Sequence, residues 1–161
     1  MIVGMARRSS RVNHVSVVAH DLAESVRFYC ELFGAEEVAT PDFGFPVRWL
    51  QLGDVQIHVF ERPDGPPVYA HFAVEVPDVV PLVEEARRRG ILDDETFGYS
   101  HAELPGGESQ VYLRDPAGNL IEANDVDGAR ARSRLPEMVR LADIRPQPAS
   151  PVPRLPLRGL G

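Results

Sequence analysis

The feature that most constrains this chain is a repeat. Val12-Asn-His-Val-Ser-Val-Val-Ala-His-Asp21 resembles Tyr69-Ala-His-Phe-Ala-Val-Glu-Val-Pro-Asp78. In both segments a histidine stands seven residues before an aspartate, His14 to Asp21 and His71 to Asp78. A helical pattern follows each aspartate and stops at a glycine, Gly34 or Gly90. A chain built of two copies of one supersecondary unit must stack or pair them, and this removes most alternative architectures.

The local signals agree with the repeat. Asp21 with Glu24 makes the acidic form of a capping box, and Leu22, Val26, Tyr29 and Phe33 give an apolar stripe at helical spacing. Asp78 caps the second helix, Pro81 is tolerated in its first turn, and Leu82, Val83 and Ala86 face inward. Arg87, Arg88 and Arg89 suit the negative end of that helix and read as a solvated end, not a binding patch. Strand-like runs follow at Val47–Leu52 and Val55–Phe60, then at Ser109–Arg114 and Asn119–Ala123, with weaker third strands near Glu37–Thr40 and Ile91–Thr96. The expected class is α+β, two βαβββ modules over 11–61 and 68–125. Met1–Ser10 reads as a flexible N-terminus, and 126–161 as a Pro/Arg-rich arm or disordered tail with a short helix near Pro136–Asp143.

Strand parity then decides which side chains can meet. Val15 and Val17 share one face of the first strand, His14 and Ser16 the other; His58 opposes Ile57 and Val59; His71 opposes Phe72 and Val74; Glu122 opposes Ile121 and Ala123. Each of these strands carries an apolar back for helix packing and a front with a nitrogen or oxygen donor. His14, His58, His71 and Glu122 suit one divalent ion, Fe(II), Mn(II), Ni(II), Co(II) or Zn(II). His14, His71 and Glu122 are expected around one metal; His58 is open between ligand and structural residue. His20 reads as a loop residue. Asp115 and Asn119 are expected to serve a turn, and Arg114 is either a surface charge or a substrate contact. Without a partnering cysteine, a structural zinc finger is disfavoured.

Charge and cysteine usage bound the partners. The net charge of -7 argues against nucleic-acid binding, and no apolar run approaches the roughly 18 residues of a membrane helix. Residues 1–125 hold 10 Arg against 21 acids, a net -11, whereas 126–161 hold 7 Arg against 3 acids, a net +4. A basic tail of this kind can dock on its own domain or on a sister subunit. Cys30 is alone, so no internal disulfide forms and a reducing cytoplasm is the expected compartment.

These residues resemble the vicinal oxygen chelate superfamily, which includes glyoxalase I, extradiol dioxygenases, fosfomycin-resistance transferases and bleomycin-resistance proteins. The likeness covers about residues 11–125 and is carried by Asn13-His14-Val15, Asp21 through Tyr29 with Gly34, Leu52 through Val59, His71 through Glu75 and, most distinctively, Val111 through Glu122. It implies a cup-shaped sheet with a central metal on His14, His71 and Glu122, a small substrate chelating through neighbouring oxygens, and often a homodimer. Glyoxalase-like members add a ligand, usually a carboxylate or glutamine, where this chain has His58. Metal-assisted isomerase or lyase chemistry follows, with Glu122 and His58 as candidate catalytic groups, or extradiol dioxygenase chemistry. The dioxygenase signature puts its active-site tyrosine on Tyr112 and leaves His101 as the only candidate acid–base histidine, behind a spacer longer than the signature permits. The alternative is a metal-free drug-binding protein of the bleomycin-resistance type.

Overall fold

A computed structural model describes residues 11–147 and 149–160; the N-terminal segment expected to be flexible lies outside them. The first half runs β1 (His14–Ala19), α1 (Leu22–Phe33), β2 (Glu36–Val38), β3 (Val47–Leu52) and β4 (Val55–Glu61). The second runs β5 (His71–Glu75), α2 (Val79–Arg89), β6 (His101–Glu103), β7 (Ser109–Arg114) and β8 (Leu120–Asp125). Their strand orders are the same, β1-β4-β3-β2 and β5-β8-β7-β6, so the repeat in the sequence is a repeat in topology. In each open sheet the first strand runs parallel to the last, β1 beside β4 and β5 beside β8, while the other pairs of the repeat are antiparallel. The α+β class is as expected.

Both helices start and stop where local chemistry requires. The Asp21 carboxylate accepts from Glu24 N and that of Asp78 from Val80 N, so each answers an amide that the helix itself leaves unpaired. Gly34 and Gly90 close the helices at φ of 68° and 67°, a left-handed conformation that costs a residue with a Cβ. The helices cover the apolar backs of the sheets, and one core runs through Phe28, Tyr29, Leu50, Ile57, Val74, Val83, Leu113 and Ile121.

The two halves are fastened to each other by polar groups. Tyr29, fully buried on α1, donates its hydroxyl to Asp115 Oδ2 at 2.7 Å. Asp115 lies in the β7–β8 turn, where its other oxygen accepts from the amides of Ala117 and Asn119. The Asn119 side chain crosses to β1, donating to Val18 O at 2.7 Å and accepting from Val18 N at 3.3 Å. Both residues serve the turn, as expected, and also hold the first half against the second.

Three local expectations are corrected. No strand forms over Ile91–Thr96 beyond a single bridge from Leu92 to Leu113, because Asp93 is drawn off to Arg114 and the Thr96 amide. The third strand of the second half is β6, set by the turn at Leu104–Gly107. Beyond Asp125 the chain forms α3 (Gly128–Arg134), β9 (Val139–Arg140), which adds in parallel to β6, and α4 (Leu141–Ile144). Only α4 overlaps the short helix expected near Pro136–Asp143, at its last three residues; Leu135 and Met138 bury themselves in the core and anchor this stretch. Six of the seven tail arginines reach acids of their own body: Arg130 to Asp125, Arg132 and Arg140 to Glu103, Arg134 to Asp78, Arg154 to Glu108 and Arg158 to Asp54.

Tyr29→Phe should lower the unfolding free energy by about 1–3 kcal/mol, since the buried Asp115 loses a donor while the packing volume is kept. Urea denaturation measures this, and an unchanged midpoint would show that the bond contributes nothing.

Candidate metal centre

The four expected donors meet as two pairs. In the second half, His71 on β5 and Glu122 on β8 face each other, Nε2 to Oε2, at 3.2 Å. The pairing follows from register: Ala73 stands opposite Glu122 on the adjacent parallel strand, so residue 71 is one same-face step away. His71 Nδ1 lies 2.9 Å from the carbonyl oxygen of Tyr69, which can only accept, so Nδ1 carries the proton and Nε2 is left as the nitrogen on the side of Glu122. Glu122 is buried and held from behind by Asn124 Nδ2, which donates to Oε1 at 2.9 Å and to the Ser109 carbonyl at 3.1 Å.

Aromatic side chains wall this pair. Tyr112, directly opposite Glu122 in the β7–β8 ladder, meets His71 edge-on with ring centroids 5.8 Å apart and packs on Phe97 at 4.6 Å. Tyr99 and Tyr69 extend the wall. Burial first, and then the charge of Glu122, push the Tyr112 hydroxyl far above the ordinary phenol range, so it stays protonated at any physiological pH. Tyr99 shifts the same way from the same two causes. Phe97 and Tyr99 were missed in the sequence because they sit in an irregular stretch with no parity to read.

The second pair is His14 on β1 with His58 on β4. Their rings stack with centroids 4.2 Å apart, and Trp49 stacks on the far side of His58 at 4.3 Å. His14 Nδ1 lies 2.6 Å from Asn13 Oδ1, leaving Nε2 free. His58 is bonded through Nε2, to Gln56 Oε1 at 2.9 Å. Among the described residues, no three His, Cys, Asp or Glu side chains lie close enough to hold one metal ion. Within the chain the structure does not bring His14 to His71 and Glu122: His14 sits on the sheet of β1, the other two on the sheet of β5, and the two sheets share no ladder among the described residues.

The donors present nevertheless fit a metal. A ligating histidine ordinarily gives its second nitrogen to an oxygen acceptor, which fixes the tautomer, and His14 and His71 both do so. Glu122 is likewise buttressed. A cleft of about 1050 Å³, lined by Val15, Ile57, Phe72, Val74 and Leu82, contains none of the four donors.

His101 lies elsewhere. It pairs with Val111 in the β6–β7 ladder, so it points to the helix-covered back, whereas Tyr112 and Glu122 point to the front. There it is buried, with Nε2 3.4 Å from the Glu137 carboxylate and Nδ1 2.8 Å from Ser100 Oγ. Arg114 is on the front but fully engaged with Asp93, Thr96, Gly118 O and Val68 O, which makes it a loop tie.

A family model described as the Glyoxalase/Bleomycin resistance protein/Dioxygenase superfamily matches residues 11–123. The chain belongs to this superfamily. A putative glyoxalase family protein from Bacillus anthracis is similar over 74% of this chain and 98% of its own, at 25% identity and a TM-score of 0.59. A lactoylglutathione lyase from Agrobacterium tumefaciens matches over 73% and 95%, at 23% identity and a TM-score of 0.55. A genomically encoded fosfomycin resistance protein from Listeria monocytogenes matches over 82% and 98%, at 18% identity and a TM-score of 0.58. The likeness to the last two is one of fold. Comparison with curated protein sequences finds no match. Among the described residues no helix is long and apolar enough to cross a membrane.

Burial lowers the pKa of His101 despite the opposing pull of Glu137, and burial followed by the neighbouring His14 lowers that of His58. A folded value below the unfolded one gives stability that is present above the unfolded pKa of about 6.5 and lost as pH falls through the folded value. Thermal unfolding should therefore show Tm falling as pH drops below about 6.5, and His101→Gln should flatten that fall. A wild-type Tm that rises with acidification would contradict this assignment.

Proposed function

We propose that this protein is a divalent-metal-dependent enzyme whose metal is held by His71 and Glu122 of one copy and His14 of a second copy, in a homodimer. What supports the reading is the His71–Glu122 pair: an imidazole anchored through Nδ1 beside a buttressed, buried carboxylate, with Nε2 and Oε2 3.2 Å apart. The separation of His14 from that pair within one chain calls for the second copy, since His14 has the same second-nitrogen anchoring but no ligand partner at hand. Two histidines and one carboxylate suit Fe(II), Mn(II), Ni(II), Co(II) or Zn(II).

A metal so held would bind two neighbouring oxygens of a small substrate and stabilise negative charge developing on them. The chain's own groups do the rest. Asn124 keeps Glu122 pointed at the ion by occupying its other oxygen. Tyr112, a phenol that does not ionise, can donate a hydrogen bond to substrate beside Glu122. Phe97 and the tyrosines around it exclude water and give a flat wall.

Among the reactions of this superfamily, proton transfer between adjacent carbons, as in an isomerase or lyase, agrees best with the site. An extradiol mechanism needs an acid–base histidine, and His101 points away from the metal centre. The lone Cys30 fits a reducing cytoplasm.

Purified protein should hold one metal per site, and His14→Ala, His71→Ala and Glu122→Ala should each abolish it. Stoichiometric metal in all three variants would remove the proposed site. Mixing His14→Ala with Glu122→Ala subunits should restore binding at one site per mixed dimer, and no restoration would refute the shared site. Oxygen uptake with catechols under Fe(II) should be absent; uptake would replace the isomerase or lyase assignment with a dioxygenase.

A further inference from the structure

We propose that His58 is a positioning residue that fixes the ring of His14, and that the protein supplies three metal ligands, His14, His71 and Glu122. This rests on the metal-centre reading above and concerns the role of the fourth donor within it.

An imidazole lone pair lies in the plane of its ring. Two imidazoles on one ion must therefore have planes that both pass through that ion. The rings of His14 and His58 are stacked face to face with 16° between their planes and centroids 4.2 Å apart. Near-parallel planes set one above the other do not meet at a shared ion within ligand reach of both rings.

The protonation pattern also sets His58 apart from the other two histidines. Gln56 donates its amide nitrogen to Gln51 Oε1 at 3.2 Å and presents its own Oε1 to His58 Nε2 at 2.9 Å. Nε2 of His58 is therefore the protonated nitrogen and is closed to a metal, leaving a lone pair on Nδ1 alone. In His14 and His71 the pattern is reversed, with the proton on Nδ1 and Nε2 left open. The two histidines that fit a metal share one tautomer, and His58 has the other.

What His58 does is visible from its neighbours. Trp49 lies against its other face, 4.3 Å away and within 2° of parallel, an arrangement that β3–β4 pairing imposes by placing Trp49 directly opposite His58. His58 is buried, whereas His14 is exposed and is hydrogen-bonded only to its sequence neighbour Asn13. An exposed ring bonded to an adjacent side chain is free to swing. Stacked on a clamped neighbour, the ring is held in one orientation with Nδ1 bonded to Asn13. With three protein ligands the ion keeps one more open position than a four-ligand site, enough for two substrate oxygens and a further small ligand.

Cobalt(II) titration of the full-length protein, followed by visible absorption, tests the assignment. His58→Phe keeps the flat ring and removes both nitrogens; it should bind one Co(II) per site with the wild-type band shape and affinity within about tenfold, the scale of a lost supporting contact. His58→Ala should bind more weakly than His58→Phe, and His14→Ala should lose tight binding. Trp49→Ala, which removes no donor, should weaken affinity and leave the spectrum unchanged; it also serves if His58→Phe fails to fold. A His58→Phe protein as defective as His14→Ala, or a band shape altered in Trp49→Ala, would make His58 a ligand and overturn the proposal. Wild-type protein that binds no Co(II), or binding indifferent to His14→Ala, His71→Ala and Glu122→Ala, would instead remove the metal centre itself, and these results cannot be confused with the others.

Discussion

The buried carboxylate of Asp115 stands where the two halves of the chain meet, and the placement of both donor pairs depends on it. One oxygen shapes the β7–β8 turn; the other accepts from Tyr29 of α1 and from Asn119, whose side chain in turn bonds the backbone of β1. A buried carboxylate carries a large desolvation cost unless its lone pairs are answered, and here four donors answer it. The geometry that satisfies this one group therefore fixes where β8, with Glu122, lies relative to β1, with His14.

Much of the architecture was readable because it is locally encoded. Asp21, Asp78, Gly34 and Gly90 delimit both helices through contacts within a few residues, and alternation along β1, β4, β5 and β8 correctly placed His14, His58, His71 and Glu122 on the faces opposite the core. The bond from Tyr29 to Asp115 spans 86 positions, and no local pattern announces it. His101 shows how parity fails. The stretch between Gly90 and Ser109 has no period, so the position of β6 could not be set, and a shift of one residue sends a side chain to the other face. The relation between the two sheets was also invisible. Repeat symmetry says that equivalent residues have equivalent surroundings; it does not say that they share a site.

That distinction matters for how the repeat works. Each half brings one histidine at the start of its first strand and one polar residue on its last, so each builds half of a donor set from the same plan. The halves have since diverged in use. In the second, the last strand carries a carboxylate beside the histidine Nε2; in the first, it carries an aromatic ring stacked under the histidine. One scaffold thus yields a chemical partner in one copy and a mechanical one in the other.

The short strand β9 has a consequence for the chain's behaviour at high concentration. An exposed sheet edge is a template for unwanted strand pairing, and proteins blunt such edges with short strands and charge. The outer edge of the first sheet is β2, three residues long with Glu36 and Glu37 in it; that of the second is β9, two residues long and carrying Arg140. The other edges, β1 and β5, have six and five residues, and on β1 the Asn119 side chain already occupies the N–H and C=O of Val18. Self-association by strand addition is thereby discouraged at the two flanks, which keeps concentrated protein from stacking sheet on sheet at those ends.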